Sequence, residues 1–235
     1  MNEGSKQRTC LRGFAFIVTL CLFSLNASAQ EKEFAVTSGA FRIQPALFFG
    51  AGASKVDVGT TTDGDTVSIS GGGGLGGGVT VGYGLSSHLD LDFSLGYEES
   101  VLTPAVSNAD GTFDRTFYLV TLKYRIPVSK RFHIKLGGGG GVYKPGELDV
   151  DTRSVFGGAH DIIKYKTATG AHVLTEFEFF VSGSAAVNIG MKYYSVTYHE
   201  SSGTRNGMPG YFFGNEIENL DGSGFDLMLS FAKYF

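Results

Sequence analysis

The chain has 235 residues, with 19 Lys plus Arg against 23 Asp plus Glu, a formal charge of −4 and 42% hydrophobic residues. It holds 35 Gly, 20 Phe and 11 Tyr, but no Trp and only 5 Pro. An acidic balance is a poor match to nucleic acid, and no nucleic-acid partner is expected.

The first 29 residues read as a secretory leader. Lys6, Arg8 and Arg12 form a positive start, Gly13 to Leu25 is an uncharged, mostly apolar run, and Ala27-Ser28-Ala29 supplies the small residues of a cleavage site. An apolar run of 13 residues is too short for a membrane helix, which needs about 20. The expected division is a signal peptide over 1–29 and a single domain over 30–235, starting at Gln30. No Cys stands at the cleavage point to carry a lipid. Cys10 and Cys21 both leave with the leader, which excludes disulfides, thiolate zinc sites and cysteine catalysis from the exported chain. Removing Lys6, Arg8, Arg12 and Glu3 moves the formal charge from −4 to −6.

After residue 30 no stretch reaches 18 apolar residues and no 3.6-residue period appears. A period of two recurs instead, in eight segments: about 40–56, 73–85, 89–101, 115–126, 132–143, 171–181, 185–198 and 224–235. Short connections (86–88, 127–131, 182–184) alternate with long ones (57–72, 102–114, 144–170, 199–223) rich in Gly, Asp, Asn, Ser and Thr. Short turns at one end and long loops at the other, with an even strand number, predict an all-β fold. The fold class is an eight-stranded antiparallel up-and-down transmembrane β-barrel, placed in the bacterial outer membrane.

One register of each segment is greasy. Leu89, Leu91, Phe93, Leu95 and Tyr97 form one lipid-facing stripe. Tyr118, Val120, Leu122, Tyr124 and Ile126 form a second, and Val187, Ile189, Met191 and Tyr193 a third. The last segment presents Phe225, Leu227, Leu229, Phe231, Lys233 and Phe235 on the same side. Lys233 is tolerable there because a Lys near an interface costs about 0–1 kcal/mol, against about 2–4 at the midplane, and can reach the headgroups.

The opposite register carries charge. Arg42, Lys123, Arg125, Lys135 and Lys192 face Asp90, Asp92, Glu98, Glu176, Glu178 and Asp226, from seven of the eight segments. Unpaired buried charges cost several kcal/mol each, whereas an eight-stranded barrel has an interior just wide enough for side chains to fill. These eleven residues are therefore expected to pair across the lumen and plug it.

Other motifs carry less. "GGGGLGGG" (71–78) and "LGGGGGV" (136–142) lack the Lys-Ser/Thr of a phosphate loop, and read as strand glycines that allow tight coiling beside bulky neighbours. His88, His133, His160, His172 and His199 are scattered, so no metal site is expected. Asp149 and Asp151, like "TDGDT" (62–66), read as solvated loop rather than as ligands for a hard cation. No cofactor is expected.

In "YHESSG" (198–203), His199 and Ser201 resemble the His-x-Ser of lipid A deacylases of the PagL type, which are also eight-stranded barrels. That resemblance implies a Ser-His-acid ester hydrolase, with Glu216 or Glu218 as a conceivable acid. It covers two residues only, because Ser202 and Gly203 stand where that family has Asn and Ala. A polar surface loop is the plainer reading, and the chain is read as non-enzymatic.

Over its whole exported length the chain resembles the small outer-membrane β-barrel superfamily of OmpA-transmembrane and OmpX-like proteins, most clearly in "IGMKYYSVTY" (189–198) and "GSGFDLMLSFAKYF" (222–235). The resemblance implies contact with outer-membrane lipids and lipopolysaccharide. It also implies recognition by the barrel assembly machinery of a last strand ending in aromatics, here Phe231 and Phe235, although Lys233 departs from the usual apolar residue. The expected role is a monomeric envelope or surface-interaction protein acting through loops 144–170 and 199–223, with a surface ligand that is not named. A small channel for hydrophobic solutes, of the OmpW type, has an apolar lumen, and the charges here argue against it.

Overall fold

The structure is a computed structural model that describes residues 38–61, 63–154, 158–209 and 218–235. The leader expected over 1–29, its cleavage point and Glu216 lie outside the described residues. In chain order the strands are β1 (Phe41–Gly52), β2 (Val56–Thr60), β3 (Thr66–Ile69), β4 (Gly73–Gly84), β5 (Leu89–Val101), β6 (Asp110–Ser129) and β7 (Phe132–Asp151). They continue as β8 (His160–Tyr165), β9 (Ala168–Ser182), β10 (Ala185–Ser195), β11 (Thr197–Arg205), β12 (Met208–Pro209), β13 (Asn219–Asp221) and β14 (Gly224–Tyr234).

Eight of these close a ring in the order β1, β4, β5, β6, β7, β9, β10, β14 and back to β1, with every neighbour antiparallel. The seam between β1 and β14 runs from Arg42 opposite Tyr234 to Gly52 opposite Gly224. Closure satisfies the backbone groups that an open edge would leave unpaired in lipid.

Alternation decides which way each side chain points. Phe93, Leu95 and Tyr97, then Tyr118, Val120, Leu122, Tyr124 and Ile126, then Ile189, Met191 and Tyr193 are all exposed on the outer face. Phe41, Tyr83, Tyr124, Phe177, Phe179 and Phe235 ring the short-turn end, and Phe49, Tyr97, Tyr118, Tyr193 and Phe225 ring the other. Rings at these two levels suit the two interfaces of a bilayer.

The long connections differ from their expected form. The stretch 57–72 holds the β2–β3 hairpin, tied to the next connection by a bridge between Ser68 and Thr103. Among their described residues, the stretches 144–170 and 199–223 are largely strand. β7 continues to Asp151 and changes partner, pairing with β9 through Phe132–Tyr143 and with β8 through Glu147–Asp151. β8 in turn pairs with β11, and β11 with β12 and β13. The wall thus rises beyond the aromatic ring as a sheet. Its inward side chains, Phe113, Leu148, Val150, Ile163, Tyr165, Val196, Tyr198 and Leu220, pack with Val56, Val67, Ile69 and Leu102 into one apolar cluster. These segments escape a composition-based reading because their solvent faces are as polar as loops.

Candidate functional site

The barrel interior has two layers, because inward positions near the short turns are ionic and those near the cap are aromatic. In the ionic layer Arg42 of β1 reaches both carboxylates of β5, with Nη1 2.7 Å from Asp90 Oδ2 and Nη2 2.5 Å from Asp92 Oδ1. Arg125 of β6 takes the other Asp90 oxygen at 2.5 Å. Lys123 bridges Asp92 at 3.0 Å and Glu176 of β9 at 3.1 Å. Lys135 of β7 lies 2.7 Å from Glu178 and 3.6 Å from Asp90. The Tyr234 hydroxyl donates to Glu178, and His133 Nδ1 stands 3.3 Å from the other Glu178 oxygen. Gln44 Nε2 donates to Glu176 and to Ser230 Oγ.

The upper layer holds two more ion pairs. Arg115 Nε donates to Glu98 at 2.9 Å, its guanidinium also contacts the Tyr194 hydroxyl, and Nη1 donates to the Gly71 carbonyl at 2.9 Å. Lys192 Nζ lies 2.9 Å from Asp226 and sits over three rings, 4.4 Å from the centroid of Phe117, 5.0 Å from Phe48 and 5.3 Å from Tyr194. Such cation–π contacts strengthen when water is excluded.

The structure places all eleven expected lumen residues inside the ring and buried, and adds Arg115, so six cations face six carboxylates. Arg115 was legible in principle, since it keeps the odd-numbered inward register of Phe117, Leu119, Thr121, Lys123 and Arg125. It fell at the margin of the segment that began at 115. Gln44, His133, Tyr194 and Tyr234 carry no lumen signal in the sequence, because neutral polar and aromatic residues do not announce a face.

Between the layers is a cavity of about 40 Å³, bordered among others by Thr80, Ser94, Thr121, His172, Glu176 and Lys192. That is room for a few waters.

The two residues of the hydrolase resemblance are not brought together. Ser201 Oγ donates to the Lys164 carbonyl at 3.0 Å, while His199 Nδ1 lies 2.6 Å from Asn219 Oδ1. Asp149 contacts His160 at 2.8 Å, and Asp151 is forked by Arg153, whose hydrogen bonds hold that carboxyl below its usual range. No group of three or more His, Cys, Asp or Glu side chains that could hold a metal ion occurs among the described residues. Phe231 and Phe235 both lie on the outer face of β14 and just beyond it, and the Phe235 amide donates to the Phe41 carbonyl at 2.8 Å.

Comparison with known proteins follows this geometry. A family model described as "Outer membrane protein beta-barrel domain" matches residues 16–231. The crystal structure of the outer membrane protein OprG from Pseudomonas aeruginosa superposes with a TM-score of 0.55 at 12% identity, over 87% of this chain and 99% of that one. Neisserial surface protein A superposes with a TM-score of 0.51 at 17% identity, over 84% of this chain and 99% of that one. At these identities the two structures speak to the fold alone. A search of curated proteins finds no match. The family places the protein in the outer membrane of a Gram-negative bacterium, and the chain belongs to the outer membrane protein β-barrel domain family.

Proposed function

We propose that this barrel is a monomeric, non-enzymatic and non-conducting scaffold that carries a strand-built surface for interaction outside the cell. The observation that supports it is the interior. Six cations and six carboxylates, all buried, interlock from seven of the eight ring strands, and the cavity between the two layers measures about 40 Å³. A solute would have to break several ion pairs in series, and an uncompensated buried charge costs several kcal/mol. A hydrophobic solute would meet the same ionic layer.

The extension of β7, β8 and β11 beyond the outer aromatic ring supports the surface role, since a sheet with its own apolar core presents a fixed face. The separate engagements of Ser201 and His199 support the non-enzymatic reading. Two measurements test it. In planar bilayers the wild-type protein is expected to show no steady conductance, while Lys123→Ala, Arg125→Ala and Lys135→Ala together raise conductance or destabilise the barrel. A large, stable wild-type pore would overturn the closed lumen. Mass spectrometry of lipid A is expected to show the same species with wild type and Ser201→Ala, and a deacylated species lost on that change would make the protein an enzyme.

A further inference from the structure

Among the described side chains, the short-turn end of the barrel outside the lumen carries formal charge of one sign. Among the described residues its turns and rim carry His88, Lys130, Arg131 and Lys233 and no Asp or Glu side chain outside the lumen. Exposed carboxylates gather at the other end, at Asp57, Asp63, Asp65, Asp110 and Glu147. Within this cationic rim one position is built rather than merely exposed. Lys233 points to the lipid side of β14, between Ile43 of β1 and Ala185 of β10. Its Nζ donates to Ser184 Oγ at 2.9 Å, and no ion pair joins it to a carboxylate among the described residues. Ser184 lies in the two-residue turn between β9 and β10, and its backbone amide donates to Ser182 Oγ. Each serine oxygen therefore accepts one bond and keeps its own proton to give. Exposed Ile43, Phe41 and Phe235 flank the position, the two rings 6.4 Å apart.

We propose that Lys233, Ser184 and Ser182 form a binding site for the phosphodiester of an anionic phospholipid in the periplasmic leaflet. The ligand follows from what the position lacks and where it stands. The Lys233 ammonium faces lipid at an interface and pairs with no carboxylate side chain among the described residues, and the phosphate level of that leaflet lies within reach of a snorkelling Lys. Two hydroxyls beside it supply the directional donors that a phosphate oxygen accepts. The apolar surface of Ile43 and the Phe41–Phe235 pair continues toward the membrane interior, where acyl chains run. A net negative headgroup such as phosphatidylglycerol gains from the Lys233 ammonium, whereas a zwitterionic one brings its own ammonium beside it.

The test is native mass spectrometry of the full chain extracted in mild detergent and incubated with phosphatidylglycerol or phosphatidylcholine of the same acyl composition. Heat-modifiable gel mobility certifies that each variant is folded. Wild type is expected to retain one phosphatidylglycerol about fivefold more than phosphatidylcholine, the scale of one basic residue at an anionic surface. Lys233→Gln is expected to remove that preference, and Ser182→Ala with Ser184→Ala to reduce it. Lys130→Gln with Arg131→Gln is expected to keep it, because those side chains sit on another turn. Equal retention of the two lipids by wild type, or an undiminished preference in Lys233→Gln, would overturn the site. Displacement of bound lipid by millimolar inorganic phosphate would show a free-anion site and overturn the lipid assignment.

Discussion

Arg115 and Glu98 sit directly opposite each other on β6 and β5 and close an ion pair in the layer of the barrel dominated by rings. Both are about 1% exposed. The guanidinium is also spent on the Tyr194 hydroxyl and the Gly71 carbonyl, so one side chain ties β5, β6, β10 and the base of the cap together. Arg115→Met leaves the Glu98 carboxylate buried without its partner, and the expected loss is about 3–5 kcal/mol. The double variant Arg115→Met with Glu98→Gln is expected to recover much of it. Urea unfolding in detergent micelles gives both values, and a single variant as stable as wild type would mean that water reaches the pair.

Gly96 shows why the wall needs residues without side chains. A Cβ built there would collide with the ring of Phe117, which crosses the lumen side of β5 and packs on Phe48 at 5.7 Å. Gly96→Ala is expected to cost about 1–3 kcal/mol through overpacking. Gly59→Ala, on the exposed β2–β3 hairpin with open space around it, is expected to leave the midpoint within about 0.5 kcal/mol. Equal effects at the two glycines would contradict the packing argument.

Much of this architecture was legible in the sequence. The eight segments, their short turns and both faces follow from a period of two, and the charges of the lumen follow from the register in which Leu122 and Tyr124 face lipid. The cap was not legible. Val56, Val67, Ile69, Val150 and Ile163 are each one or two apolar residues in a polar stretch, and their partners lie far along the chain. The aromatic half of the lumen was also hidden, since Phe117 and Tyr194 alternate with apolar outward residues and so blur the polar-inward rule. His199 and Ser201 form a motif only two residues wide, and in the fold each has another partner.

Asp221 links the cap to the wall and titrates where it can be observed. It lies above the outer aromatic ring, its Oδ1 accepting from the Ser223 amide at 2.9 Å and its Oδ2 from Ser54 Oγ at 2.9 Å. Burial works against its charge, but the bonds from Ser223 and Ser54 outweigh it and hold the carboxyl below its ordinary value. A folded-state value below the unfolded one gives stability that is complete above the unfolded carboxylate range, near pH 4, and lost as pH falls through the folded value. Protection of the Ser223 amide against hydrogen exchange, corrected for the intrinsic rate, is expected to hold from pH 7 to about 5 and to fall toward pH 3. Asp221→Asn is expected to remove that dependence on pH.

Phe235 and Phe225 are both outward aromatics, 70% and 52% exposed, with different neighbours. Phe225 packs on Tyr193 at 4.7 Å, while Phe235 meets Phe41 across the closing seam and donates its amide there. Deleting Phe235 is expected to lower the yield of folded protein in outer membranes more than Phe225→Ala does, measured by heat-modifiable mobility of the membrane fraction. Equal yields would reduce Phe235 to one more girdle ring.

The two-residue period that hides Lys123 and Arg125 from lipid also makes misalignment costly. If β6 slid by one residue against β5, Leu122 and Tyr124 would turn inward and both cations would turn to the lipid face, where a Lys or Arg costs from about 0–1 kcal/mol near the interface to about 2–4 toward the midplane. The same slip on β5 would expose Asp90, Asp92 and Glu98 and strand their partners on β1 and β6. The charges thus act before the protein is finished: they make the correct alignment of neighbouring strands the one a membrane will accept, so the barrel's interior is also its gauge of assembly.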